Sequence, residues 1–495
     1  MRLDKFVRCL LVLSIGAGAA SLAACNKTGA EQTASASEGG KVPITTRSGD
    51  ARQEFLKGQD LADRLLGAES LQHFDKALSI DPEFASAELA RANSSPTAKE
   101  FSEHQKKAVE LADKVSEGER LLILANQAGA NGDAAKQKEY LEKLVAAYPN
   151  DERAQFALAN FYFGQQDLDP AIEHYKKSIA IAPKFSGPYN VLGYAYRQKE
   201  DYSDAEDTFK KYTELIPNDP NPYDSYAELL LKMGRFEDSI TQYRKALSIE
   251  PHFVPSHFGL AAALLYAGKA DEAQAELQTM ADQARNDGEL RTAYFGMAVV
   301  ASDAGKFDLA LKQMDKEFAV AQKKNDIVAM AADLQASGNI QEQMRKYDEA
   351  RRTLDRAFQM IQTSSQPQEI KDNSQLLHEY NLASIAIWKK DYATAKSHAA
   401  EFQKGVDANK NAAIQVEQSH ELQGRIALAT QDYDKAISEL QQANQQDALN
   451  LYRLSQAYAG KGDSAKASEL RGKAAGFNSL LALNYAFVRR EAHKG

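Results

Sequence analysis

Apolar and polar positions alternate along this chain with a helical beat, broken at regular intervals by short polar corners. Residues 152–185 show the pattern most clearly. Leu158, Ala159 and Tyr162 fall three and four apart on one helix face, a polar stretch follows, and Ala171, Tyr175 and Ser178 mark a second face. Such spacing predicts two amphipathic helices folded back on each other. The pattern returns with Leu192, Gly193, Tyr196, Ala205 and Phe209, then with Tyr226, Ala227, Leu230, Ser239, Tyr243 and Ala246. Each pair closes on a proline, which lacks the amide donor and clashes with the preceding turn. Pro149, Pro183, Pro217 and Pro251 stand 34 residues apart, and Pro82 closes FDKALSIDP two periods less one before Pro149.

A period of 34 with large and small residues in this order resembles the tetratricopeptide repeat. The resemblance implies an all-α, right-handed superhelical solenoid of helix-turn-helix hairpins. Its small residues let helix axes approach to about 8–10 Å, and its aromatics fill the adjacent holes as core. The corners KEDYSDA, MGRFEDS, AGKADEA, AGKFDLA, MRKYDEA, KKDYATA, TQDYDKA and GKGDSAKA repeat one form. A Gly or polar residue ends the first helix, an aromatic plugs the corner, and Asp or Ser can cap the second. Counting corners gives about eleven hairpins between residues 51 and 475. Past residue 285 the corners spread to 45 residues between Tyr347 and Tyr392 and then to 41, with no closing proline. Longer helices are expected there. The expected organisation is therefore a first array over 51–284, a second with longer repeats over 285–475, and a capping helix over 476–495 that covers the last apolar face.

The N-terminus reads as an address. Arg2, Lys5 and Arg8 form a positive region before the apolar run Cys9–Ala20, which is too short to span a membrane. Leu22-Ala23-Ala24-Cys25 resembles the bacterial lipobox. That resemblance implies a lipoprotein signal over 1–24, cleavage between Ala24 and Cys25, and lipidation, including palmitate, on Cys25. Asn26 follows instead of an inner-membrane-retaining Asp. The implied location is the cell envelope, on the outer membrane facing the periplasm, with the lipid as the only membrane contact. Residues 25–50, rich in Ser, Thr, Gly and Ala, read as a flexible tether with a reach of roughly 25–30 Å.

Composition narrows the function classes. The formal net charge of −9, with no dense basic stripe, excludes a nucleic-acid binder, which needs a basic face against phosphate. The two cysteines are Cys9 and Cys25, so the body can hold no disulfide, thiolate metal site or cysteine nucleophile. The nine histidines show no metal-ligand spacing. His420-Glu421-Leu422-Gln423-Gly424 starts like a zinc-protease helix, but Gly424 stands where the second histidine belongs. Phosphate-loop and nucleophile-elbow patterns are missing as well. No catalytic residue, cofactor or metal is expected.

What remains is the inner face, lined by the first helix of each hairpin, where proteins of the resembled family hold peptides. Groove positions inferred from that register are Phe156, Asn160 and Phe163, then Asn190, Tyr194 and Arg197, then Asp224, Glu228 and Leu231, then Phe258 and Leu265. The alternative for the aromatics is packing between repeats. The lysines of the chaperone-type carboxylate clamp are missing. The expectation is a scaffold or assembly factor for other envelope proteins. A regulatory cofactor of an envelope enzyme is the alternative, and an enzyme acting on cell-wall glycan a third.

Overall fold

The computed structural model describes residues 40–95, 97–408 and 413–494. The signal segment, Ala24, Cys25 and the tether as far as residue 39 lie outside these residues. Among them, the regular structure is helical and no strand occurs. Twelve helix pairs follow in order. The first six are α1–α2 (Gly49–Asp63, Gly67–Ile80), α3–α4 (Ala85–Asn93, Ala98–Leu111), α5–α6 (Glu117–Ala130, Ala134–Ala147), α7–α8 (Glu152–Gly164, Leu168–Ile181), α9–α10 (Gly187–Gln198, Tyr202–Leu215) and α11–α12 (Pro220–Lys232, Phe236–Ile249). Next come α13–α14 (Val254–Tyr266, Ala270–Asp282), α15–α16 (Asp287–Asp303, Phe307–Lys323) and α17–α18 (Ile327–Gln343, Tyr347–Gln362). The last three are α19–α20 (Gln368–Trp388, Tyr392–Asp407), α21–α22 (Ala413–Ala429, Tyr433–Leu440) and α23–α24 (Ala448–Lys461, Ser464–Ala475), followed by a lone helix α25 (Leu483–His493). They form two compact units, one ending at Leu229 and the other beginning at Leu230.

The corners are built alike. In eleven of them the residue before the N-cap of the second helix is left-handed, with Gly132, Gly234, Gly268, Gly305 and Gly462 in five and Leu65, Gln166, Glu200, Arg345, Lys390 and Gln431 in the rest. Aspartates at the next position then cap: Asp133, Asp391, Asp432 and Asp463 each accept from an amide three residues on. Inside the hairpin, a glycine of the first helix faces a large residue 16 positions later. A Cβ on Gly58, Gly193, Gly338 or Gly424 would lie 2.6 Å from Phe74, Phe209, Leu354 or Leu440. Those glycines set the helix spacing.

Two boundaries differ from the sequence expectation, while the described residues form twelve helix pairs where counting corners gave about eleven. The long helices, 16 to 21 residues, run from α15 to α21, whereas α22 to α24 fall back to 8, 14 and 12. The expected capping segment is helical only from Leu483.

The tether also ends earlier than residue 50. Residues 40–48 run extended along the first unit and are held at three successive inter-hairpin loops. The Val42 amide donates to Asp151 (2.8 Å), the Thr45 amide and hydroxyl to Glu119 (2.9 and 2.5 Å), and the Thr46 hydroxyl and Arg47 amide to Asp81 (2.5 and 2.9 Å). Lys41 pairs with Glu152, and Val42 sits against Gly118, where a side chain would collide with it. Polar, small-residue composition reads as a tether, but the partners of this strap lie 34 to 111 residues away.

In the second unit the C-terminal segment turns back. It packs on α23 and α24 as a cap, and also on α15. Arg489 forms two hydrogen bonds of 2.7 Å to the buried Asp303. Tyr485 is buried between Tyr266 and Phe477, and the Lys232 ammonium donates to the Phe477 carbonyl (2.8 Å).

Candidate functional site: the face of the first helices

The expected groove residues share one rule in the structure: they lie four, seven and eleven residues before the N-cap of the second helix. For α9 that N-cap is Asp201, which gives Arg197, Tyr194 and Asn190. Counting back places all three positions on one face, because four, seven and eleven track the helical repeat.

In the first unit this face carries a connected polar patch. The Tyr194 hydroxyl reaches Glu228 Oε2 (3.1 Å) and Ser225 (3.3 Å), and Arg197 Nη1 donates to Glu228 Oε1 (2.5 Å). The Ser225 hydroxyl donates to Asn190 Oδ1 (2.9 Å), and the Arg197 guanidinium lies 4.8 Å over the Tyr194 ring. Burial, and next the Glu228 charge, push the Tyr194 phenol well above its ordinary pKa, so it stays a neutral donor. One hairpin earlier, Asn160 accepts from the Tyr175 hydroxyl (2.7 Å), and half-buried Phe156 packs against Tyr175 and Phe185.

Other expected positions are closed off. Phe258 and Leu231 have no exposed surface, Leu265 and Phe163 almost none, and Asp224 is buried as well. For Phe258 the cause is visible: α15 brings Gly296 against it, and a Cβ there would meet the ring at 3.2 Å. These side chains are packing between repeats and are not a surface for a partner.

The same rule finds a second polar row that sequence reasoning missed. Counting back from Lys346, Asp391 and Asp432 gives Gln335, Asn339 and Glu342, then Tyr380 and Ser384, then Glu421 and Arg425. Glu342, Ser384, Arg425, Tyr380 and Glu421 join into one network, and Gln335 bonds Asn339 and Asn381 beside it. Ser384 and the Trp388 indole donate to Glu342 Oε2 (3.0 and 3.1 Å), and Arg425 Nη2 donates to Ser384 (2.7 Å). Tyr380 and Arg453 both donate to Glu421 Oε1 at 2.6 Å. Burial raises the Glu342 carboxyl above its usual range. At Glu421 burial pushes up too, but Arg453 and Arg425 outweigh it and the carboxyl stays ionised. Trp388, 41% exposed, stacks on Tyr347 at the edge of this row. The signal was available: the corner motif fixes the N-cap, and the count back needs only that.

The histidines are ordered as well, though across hairpins rather than along helices. His73–Glu54, His174–Gln155, His257–Glu276, His398–Glu379 and His420–Glu439 are hydrogen-bonded pairs, each 19 residues apart and 2.5 to 2.8 Å long. His420 thus clasps its own hairpin. Among the described residues no group of three or more His, Cys, Asp or Glu is placed to hold a metal ion. Nor is any helix among them long and apolar enough to cross a membrane.

Sequence models of the tetratricopeptide repeat match residues 124–184, 187–219 and 230–294. No curated protein matches the chain. Among solved structures, a tetratricopeptide repeat protein from Parabacteroides merdae is 15% identical, covering 52% of this chain and 98% of its own, with a TM-score of 0.39. MamA is 21% identical over 35% of this chain and 94% of its own (TM-score 0.29). YrrB, described as a TPR protein with an unusual peptide-binding site, is 19% identical over 37% and 93% (TM-score 0.29).

Proposed function

Because this chain is a tetratricopeptide-repeat protein, of a kind that in general mediates protein–protein interactions, we propose that it is a lipid-anchored scaffold or assembly factor of the bacterial cell envelope. Cys25 carries the lipid, the outer membrane holds it, and the repeats face the periplasm to collect envelope proteins. The observation that supports binding is the face of the first helices, where hydrogen-bonding side chains and half-exposed aromatics recur at fixed positions in both units. A row of Asn, Gln, Tyr, Arg and Glu suits an extended or amphipathic segment of a partner, whose backbone and polar groups need donors and acceptors. The lipobox, the charged n-region and the apolar run support the anchor.

Crosslinking in intact envelopes followed by mass spectrometry tests both parts. A Cys25→Ser variant should move from the membrane to the soluble fraction. An Arg197→Gln/Trp388→Ser variant should stay folded and anchored, as far-UV circular dichroism and fractionation read, and lose captured partners at least tenfold. Retention of the full partner set by this double variant would refute the groove assignment, and membrane retention of Cys25→Ser would refute the anchor.

A further inference from the structure

Where the C-terminal segment docks on the second unit, it leaves a cavity of about 500 Å³. A water occupies only about 30 Å³ of liquid, and pockets for small ligands span roughly 300–1,000 Å³, so this space suits a small organic molecule. One wall is apolar: Phe236 and Tyr266 meet edge to face with centroids 6.0 Å apart, and Ala475 lies beside them. The end of α25 and the residue after it add Arg489, Arg490, His493 and Lys494 to the lining, in a chain that is acidic overall.

These cations are not equivalent. Both oxygens of Asp303 neutralise Arg489, at 2.7 Å each. Glu491 neutralises Lys494 at 2.5 Å. Arg490 has neither a carboxylate nor a hydrogen-bond partner among the described residues, and it lines the cavity together with His493. Among these residues the lining therefore carries one permanent charge without a counter-charge, on a fork whose parallel N–H groups match a carboxylate. A single charge next to an aromatic wall selects a monoanion with an apolar body over a free phosphate dianion.

We propose that this cavity binds a small carboxylate carried on an aromatic or aliphatic body. Arg490 holds the carboxylate and the Phe236–Tyr266 wall takes the body. Because the walls come from α25 on one side and from α12 and α13 on the other, the ligand fastens the C-terminal segment to the hairpins it overlies. The source is a free metabolite or the carboxyl end of a peptide, which offer the same chemistry.

The test is calorimetric titration of the purified full chain with 4-phenylbutyrate, 4-phenylbutyramide, N-acetyl-Ala-Phe and inorganic phosphate. The acid should bind at least tenfold more tightly than the amide, and phosphate should not displace it. Arg490→Gln should bring the acid down to the level of the amide while leaving the melting temperature unchanged, since this side chain is exposed. Tighter binding of N-acetyl-Ala-Phe assigns the site to a peptide end, and tighter binding of 4-phenylbutyrate to a free small molecule. Equal binding of acid and amide, displacement by phosphate, or unchanged affinity in Arg490→Gln would overturn the proposal.

Discussion

Gln155 stands where Glu54 and Glu379 stand in other hairpins, opposite a histidine 19 residues away. Burial, with Lys177 nearby, pushes the His174 imidazole below its ordinary value, since no carboxylate faces it directly. Gln155→Glu should reverse that direction, and an NMR titration of the His174 ring reads it; a value still lowered would contradict the pairing. His257 shows the opposite sign. Burial pushes it down, but Glu276 and the Pro251 carbonyl more than compensate and leave it raised. A raised folded value means that the contribution to stability is complete below the unfolded pKa and fades as pH rises through the folded one. Glu276→Gln should therefore lower the melting temperature at pH 5.5 and have much less effect at pH 9; an equal loss at both would exclude the ionic contribution. None of this was legible along the chain, because the partners sit on different helices and their spacing of 19 matches no single-helix motif.

At the scale of the hairpin, the sequence is at its most legible. Proline closures, corner aromatics and capping aspartates each report a local requirement, so helix positions follow closely from 118 to 284. Left-handed corners were only partly legible, since five of the eleven carry glycine. A side chain in this conformation costs roughly 1–2 kcal/mol, partly offset by the greater freedom glycine has when unfolded. Gln166→Gly should therefore stabilise the fourth hairpin by about 1 kcal/mol in urea unfolding, and a loss instead would mean that the Gln166 side chain contributes contacts that outweigh the strain. The groove was legible in register but not in exposure. Whether Phe258 faces a partner or the next hairpin depends on how closely α15 approaches, and Gly296, in another repeat, decides that.

At the scale of each compact unit, a terminal segment returns over the hairpins. The N-terminal return was not legible, because a short polar stretch found partners far along the chain; at the C-terminus the cap was legible, but its packing on α15 was not. The Asp303–Arg489 pair fixes the second unit. Asp303→Asn would leave a half-buried guanidinium without its counter-charge, at a cost of about 1–3 kcal/mol. Limited proteolysis should then cut within residues 476–482 while the hairpins persist; an uncut segment would show that Tyr485 and Phe477 hold it alone.

In a linear array the outermost hairpin is the natural place to fray, since it has a neighbour on one side only. The strap over residues 40–48 changes where tension enters. A pull on the leading end arrives first at Lys41 and Val42, beside the start of α7, and must slide the strap past three loops before α1 feels it. The load is shared in shear among hairpins two to four, and the first hairpin is shielded instead of being peeled away. A body hung from a lipid by this end would bear drag in its interior and keep its exposed terminus at rest.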